Sequence, residues 1–242
     1  MSRKKPSKQG PGKRGHGERR GDGKGLRETV KTARRRKAGS TRWLERQLND
    51  PYVRQAQRQG YRSRAAFKLR QLDEKCGLLR PGARGGALGA AAGGWSQVLV
   101  EKIKPQETGG QIVGIDYLAM EPVAGADLIL LDFLEGTAPV QLREALGGLA
   151  DIVLSDMAAP TTGHAKTDHL RIMSLAETAY AFAAEVLAPG GAFVCKLFQG
   201  GAEKSLLDPL KADFDSVKHV KPDASRADSA ELYIVAQGFR GG

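Results

Sequence analysis

The sequence predicts an α/β fold: a mostly parallel sheet of seven strands with helices on both faces and an antiparallel hairpin at one edge. Three observations predict it. From residue 83 onward, short runs rich in Val, Ile and Leu alternate with helical stretches, the pattern of parallel strands covered on both faces. Acidic residues close three successive runs, at Asp116, Asp132 and Asp156. The last two runs, "FDSVKHVKP" and "SAELYIVAQGF", have only a polar loop between them, so they pair as a hairpin.

Residues 1–38 come first and are expected to be a disordered tail. In residues 1–40 there are fifteen Lys and Arg against Glu18, Asp22 and Glu28, leaving 23 against 24 for the rest of the chain. The overall charge of +11 therefore sits in the tail. Gly, Ser, Lys and Arg alternate there with almost nothing apolar, too little to offset chain entropy. Such an arm suits a polyanion, because each neutralised phosphate releases counterions; a solubilising tail or a lipid-facing patch is the bland alternative. Nucleic acid is favoured because Thr41–Arg70 carries eight more Lys and Arg, now interleaved with Trp43, Tyr52, Tyr61 and Phe67.

Residues 39–80 read as basic helices at the front of one domain spanning 39–242. Ser40 or Thr41 caps the first, which Pro51 stops. "YVRQAQRQG" forms a second, ended by Gly60, and Ser63 opens "SRAAFKLRQLDEKCG", whose Ala66, Leu69, Leu72 and Cys76 recur at helical spacing before Gly77. The core, 83–238, then begins with a strand running into "LGAAAGGWSQ" (88–97) and a helix "SQVLVEKI". Its further strands are 111–116, 126–132, 150–156 and 191–198, and its clearest helix is 168–187.

Several function classes fall away. The N-terminus shows no apolar signal segment, and no run approaches the ~20 apolar residues of a membrane span. Cys76 and Cys195 show no metal-ligand spacing. A cytoplasmic protein without metal or membrane partner is expected. The glycine loop is not a P-loop, since the phosphate-reaching lysine is missing, and it does not follow the dinucleotide spacing either. Ligands of open α/β sheets bind beyond the carboxyl ends of the strands. A glycine-rich first turn followed by an aspartate at the end of the next strand fits a methyltransferase.

In order along the chain, "SRAAFKL", "LGAAxGGWSQ", "LSDMA", "LAPGGAFVCKLFQG" and "KPDASRADSAELYIVA" resemble the FtsJ/RrmJ (RlmE) family of 23S ribosomal RNA uridine-2′-O-methyltransferases, from residue 41 to about 238. The resemblance implies a Rossmann-like S-adenosylmethionine-dependent fold, that cofactor, and 23S rRNA within the large ribosomal subunit as partner to a monomeric enzyme. Motif by motif it assigns a catalytic set to Lys68, Asp156, Lys196 and Glu231, and cofactor contacts to Gly93, Trp95, Asp116, Asp132 and Asp156. Asp116 is expected on the ribose hydroxyls, Asp132 on the adenine amino group, and Ser225 and Arg226 near the RNA. A ribose 2′-hydroxyl is a very weak acid, so its attack on a sulfonium methyl benefits from a base and in-line alignment. Lys196 is the candidate base, a role that requires a depressed pKa. Read alone, Lys196 serves as well at a strand end with its ammonium in solvent, and Trp95 as core.

One stretch departs from the family pattern. Where the family has two β-favouring residues and an acid before the glycine loop, and a proline within it, this chain has Gly85, Gly86, Ala87 and Ala92. A softer first strand and weaker cofactor binding are expected. The alternative to an active enzyme is accordingly a catalytically impaired, rRNA-binding assembly factor of the same fold; a small-molecule methyltransferase is disfavoured by the basic arm.

Overall fold

The computed structural model describes residues 38–200 and 204–241. The tail expected to be disordered lies outside the described residues except for its last position. Helix α1 (Ala38–Leu48) belongs to a unit that ends at Asn49, and Asp50–Gly242 forms a second, compact unit. The helix begins ahead of the Ser40–Thr41 cap expected from the sequence, and the Asn49 amide donates to the Glu45 carbonyl at its end, 2.7 Å away.

Within the compact unit, α2 (Pro51–Gln59) is opened by Asp50, whose carboxylate accepts from the Tyr52 N–H at 3.0 Å. Pro51 occupies the first turn, where its missing N–H costs nothing, so the proline expected to stop one helix starts the next. Gly60 ends α2 at φ 75°, and Gly77 ends α3 (Ala65–Cys76) at φ 63°. Arg64 precedes α3 without a side-chain cap, so Ser63 does not open this helix as expected.

The sheet follows: β1 (Arg84–Leu88), β2 (Gln111–Asp116), β3 (Asp127–Leu130), β4 (Ala150–Ser155), β5 (Leu187–Phe198), β6 (Phe214–Val220) and β7 (Glu231–Phe239). Helices α4 (Gly94–Ile103), α5 (Pro105–Thr108), α6 (Ala138–Leu146), α7 (Ala165–Val186) and α8 (Lys204–Asp213) connect them. The strand order is β3-β2-β1-β4-β5-β7-β6, with β7 antiparallel to both neighbours and the others parallel. This is the seven-stranded sheet with an edge hairpin that the apolar runs predicted.

Alternation along the strands gives two cores. Leu88, Val113, Phe193 and Ile234 pack under α6, α7 and α8, against Leu142, Ala179 and Leu206. Ile112, Ile152, Val194 and Tyr233 pack under α3 and α4, against Leu69, Leu72 and Leu99. Strand β1 lies between β2 and β4 in full register despite its glycines. A Cβ on Gly85 would meet Ile103 Cδ1 and Ile152 Cγ2 at 3.4 Å, so neighbours have closed over it, whereas at Gly86 the nearest atom would be Leu146 Cδ1 at 4.0 Å.

Candidate active site

The strand ends and the turns that follow them line a cavity of about 750 Å³. Its walls include Gly89 and Ala91 after β1, Asp116 to Leu118 after β2, Asp132 to Leu134 after β3, Asp156 to Pro160 after β4, and Lys196 on β5. The size falls within the range of cofactor sites. At Gly89, φ is +75° and an added Cβ would come within 2.8 Å of the Met157 N, so a glycine is required where the first turn passes the β4 end. The loop is held by backbone groups: Gly89 and Ala90 donate to the Ile115 carbonyl at 3.0 and 3.1 Å, and Ala91 N–H donates to Asp116 Oδ2 at 2.8 Å. Asp116 also accepts from the Leu118 N–H at 2.9 Å and is only 8% exposed. None of these bonds uses residue 87, which is alanine buried beneath the loop.

Of the five positions expected at the cofactor, Asp116, Asp132 and Asp156 line this cavity. Gly93 and Trp95 do not. The Trp95 indole N–H donates to the Ala65 carbonyl at 2.8 Å, its ring lies 5.8 Å from that of Tyr233, and it is buried in the core under α3. An added Cβ on Gly93 would sit 2.9 Å from Arg62 Nη1. Trp95 thus fastens the loop to the first residue of α3, and Gly93 passes close to Arg62.

The four residues expected to be catalytic are brought together, although they come from α3, the β4 end, β5 and β7. Register explains it. Lys196 on β5 stands directly opposite Tyr233 on β7, and Glu231 is two residues from Tyr233 on the same face. That face is covered by α3, which carries Lys68. Lys196 Nζ donates to the Asp156 carboxylate at 2.9 Å and to the Asp156 carbonyl at 2.6 Å. Lys68 Nζ donates to Glu231 Oε2 at 2.7 Å. Tyr233 connects the pairs: its hydroxyl donates to Asp156 Oδ1 at 2.7 Å, and Lys68 Nζ lies 5.9 Å from its ring centroid. Burial alone would raise the Asp156 carboxyl. The adjoining ammonium groups of Lys196 and Lys68, with the hydrogen bonds from Tyr233 and Lys196, outweigh it and hold the group below the usual carboxylate range. Burial, reinforced by Asp156 and Glu231, pushes the Tyr233 hydroxyl well up, so it remains a donor.

Beyond Glu231 the network continues. Ser225 Oγ donates to Glu231 Oε1 at 2.7 Å. Asp50, 7% exposed, pairs with Arg64 and, at 3.4 Å, with Arg226, while Arg64 also donates to the Ala224 carbonyl. Tyr233 and Asp50 are the members that sequence reasoning missed. Tyr233 was detectable in principle, being two residues from Glu231 in a predicted strand. Asp50 offered no signal beyond being an acid in a basic stretch. Arg171 and Ser174 of α7, which also line the cavity, were not anticipated either. Among the described residues no His, Cys, Asp and Glu group is placed to hold a metal ion, and no helix is long and apolar enough to cross a membrane.

Comparison with known proteins identifies the family. The family model of the FtsJ-like methyltransferases matches residues 61–239. The curated Ribosomal RNA large subunit methyltransferase E of Paramagnetospirillum magneticum is 61% identical over 224 residues, covering 91% of each chain. Its counterpart from Parvibaculum lavamentivorans is 58% identical over 228 residues, 91% of this chain and 90% of that one. A crystal structure assigned as a ribosomal RNA methyltransferase from Plasmodium falciparum superposes with a TM-score of 0.67 at 31% identity, covering 75% of this chain and all of the other.

Proposed function

The chain belongs to the FtsJ-like methyltransferase family, and from that premise we propose that it transfers a methyl group from S-adenosylmethionine to the ribose 2′-hydroxyl of a uridine in 23S rRNA of the large ribosomal subunit. One observation carries the reading: Asp156 and Lys196 belong both to the wall of the strand-end cavity and to the buried Lys68–Asp156–Lys196–Glu231 network.

The residues present fit the cofactor. Asp116 and Asp132 supply acceptors for ribose hydroxyls and an adenine amino group. Leu118, Phe133, Met157 and Pro160 supply apolar walls, and Gly89 lets the backbone pass close. When bound, S-adenosylmethionine supplies an electrophilic sulfonium methyl. The chain's own groups then position and deprotonate the acceptor. Asp156 accepts both N–H donors of the neutral Lys196 amine, which directs the nitrogen lone pair at the substrate. That lone pair takes the proton of the 2′-hydroxyl as its oxygen attacks the methyl. Lys68 and Glu231 hold the ribose on the opposite side, and Ser225 and Arg226 extend that wall toward the neighbouring nucleotides. Residues 39–242 act as one methyltransferase domain, and the basic tail adds phosphate contacts that strengthen binding without selecting sequence. All four catalytic groups come from one chain, so a monomer suffices, working in the cytoplasm where ribosomal subunits mature.

The alternative of a catalytically impaired assembly factor finds no support among the relatives, which are curated as methyltransferases. The test is to incubate the chain with methyl-tritiated S-adenosylmethionine and large subunits lacking the modification, then digest the RNA with alkali. Label in alkali-resistant dinucleotides is expected, because a 2′-O-methyl group blocks cleavage; label in mononucleotides, or none, would overturn the reading.

A further inference from the structure

A second cavity, of about 310 Å³, opens between α2 and α3, away from the strand ends. Its floor is the half-buried Arg70 guanidinium, laid over the buried Phe67 ring with its carbon 5.9 Å from the ring centre, beside the half-buried Tyr52 ring, 5.5 Å from that of Phe67 and tilted by 44°. Arg70 is held there by Gln59 Oε1 at 3.1 Å. The rest of the lining is polar. Gln71 is fixed at both ends of its amide, donating to the Tyr52 hydroxyl at 3.2 Å and accepting from the Ala224 N–H at 2.7 Å. Gln55 and Glu74, also in the lining, have no hydrogen-bond or ion partner among the described residues.

We propose that this cavity is a nucleobase pocket, which takes a base of the substrate RNA unstacked beside the nucleotide to be methylated. The inference rests on the RNA-methyltransferase reading and adds a recognition site to it. The chemistry favours a base over a phosphate: three neutral amides and a carboxylate beside the single guanidinium of Arg70 do not make an anion site, whereas a base edge presents both donors and acceptors, which an amide matches. Aromatic faces and guanidinium planes are the usual platforms for unstacked RNA bases. Glu74, which only accepts when ionised, pairs with a donor on the base edge, either an exocyclic amino group or a ring N–H. Position agrees as well. Along α3, at about 1.5 Å per residue, Gln71 lies roughly 4.5 Å and Glu74 roughly 9 Å beyond Lys68, a reach of one to a few nucleotides. Gln71 also bonds the loop that carries Ser225 and Arg226, so the pocket and the catalytic wall share a support.

The test uses the full chain and two labelled single-stranded RNA 12-mers, one of mixed sequence and one with the same backbone but abasic riboses, compared by fluorescence anisotropy. The variant is Gln55→Ala with Glu74→Ala, two solvent-facing positions whose loss leaves the fold intact. Wild type is expected to prefer the base-bearing RNA, and the variant to lose about fivefold or more of that preference. The ratio of the two affinities cancels the change of charge at residue 74. An unchanged ratio would overturn the pocket, whether its occupant is then a peptide or nothing. The same two proteins assayed for methyl transfer to large subunits separate the two claims: a wild type inert on subunits rejects the enzyme reading while the affinity ratio still judges the pocket.

Discussion

The two walls that meet at Lys196 and Asp156 are built in opposite ways. On the side proposed for the cofactor, Gly89, Ala91, Asp116 and Asp132 stand at the ends of neighbouring strands, and the loop is shaped by backbone N–H groups reaching Ile115 and Asp116. On the side proposed for the RNA, the wall is made of charged side chains paired across most of the chain, Lys68 with Glu231 and Asp50 with Arg226. The difference explains how four departures from the family pattern are accommodated on one side. A wall of main-chain bonds tolerates Gly85, Gly86, Ala87 and Ala92 because none of those bonds depends on their side chains. A wall of buried ion pairs has no such tolerance, and there every expected charge is present.

The comparison can be broken at four places, in falling order of effect. Lys196→Met removes the candidate base at the junction, and turnover on large subunits should fall on the order of 10²–10⁴-fold, with the affinities for cofactor and subunit nearly unchanged. A fall below tenfold would remove the lysine from its role. Asp50→Asn leaves Arg64 and Arg226 side by side without their carboxylate. Because both guanidinium groups retain some exposure, about 2–3 kcal/mol of unfolding free energy should be lost in urea titration, with subunit affinity reduced and cofactor affinity kept. A tenfold loss of cofactor affinity as well would mean that the walls are not independent. Asp116→Ala is the mirror experiment: calorimetry should show S-adenosylmethionine binding about 10- to 100-fold weaker, the worth of hydrogen bonds to a charged group, while anisotropy with RNA stays the same. Gly86→Ala, where an added methyl group would meet only Leu146 Cδ1 at 4.0 Å, should add about 0.5–1 kcal/mol of stability and leave turnover alone. A loss of stability there would show that β1 cannot accept even one methyl group.

Legibility in the sequence followed the same division. The sheet was readable because each strand is a local apolar run closed by Asp, Gly or Pro, and the hairpin because β6 and β7 are separated only by a polar loop. Asp116, Asp132 and Asp156 were readable as cavity residues because strand ends fix where ligands bind. Periodicity could not bring Lys68 to Glu231, which are 163 residues apart in sequence and 2.7 Å apart in space; only the family resemblance named them together. The same resemblance named Gly93 and Trp95, which stand in the loop behind the residues that line the cavity. Pro51 ended the first helix as expected and also starts the second, whereas Ser63 misled because a residue that can cap a helix need not do so until the turn is seen. Tyr233 and Asp50 escaped because their importance lies in what they bridge, which depends on cross-strand register and on the packing of α2 and α3 against the β6–β7 loop.

The central claim is that the strand-end cavity binds S-adenosylmethionine although Ala87 replaces the acid of the family pattern. Calorimetric titration of the unaltered full chain with that cofactor tests it most directly. One site per chain with a micromolar dissociation constant is expected, since the loop bonds to Ile115 and Asp116 are complete. No heat of binding up to millimolar cofactor, restored by Ala87→Asp, would contradict it and would mean that the carboxylate missing beneath the loop is indispensable.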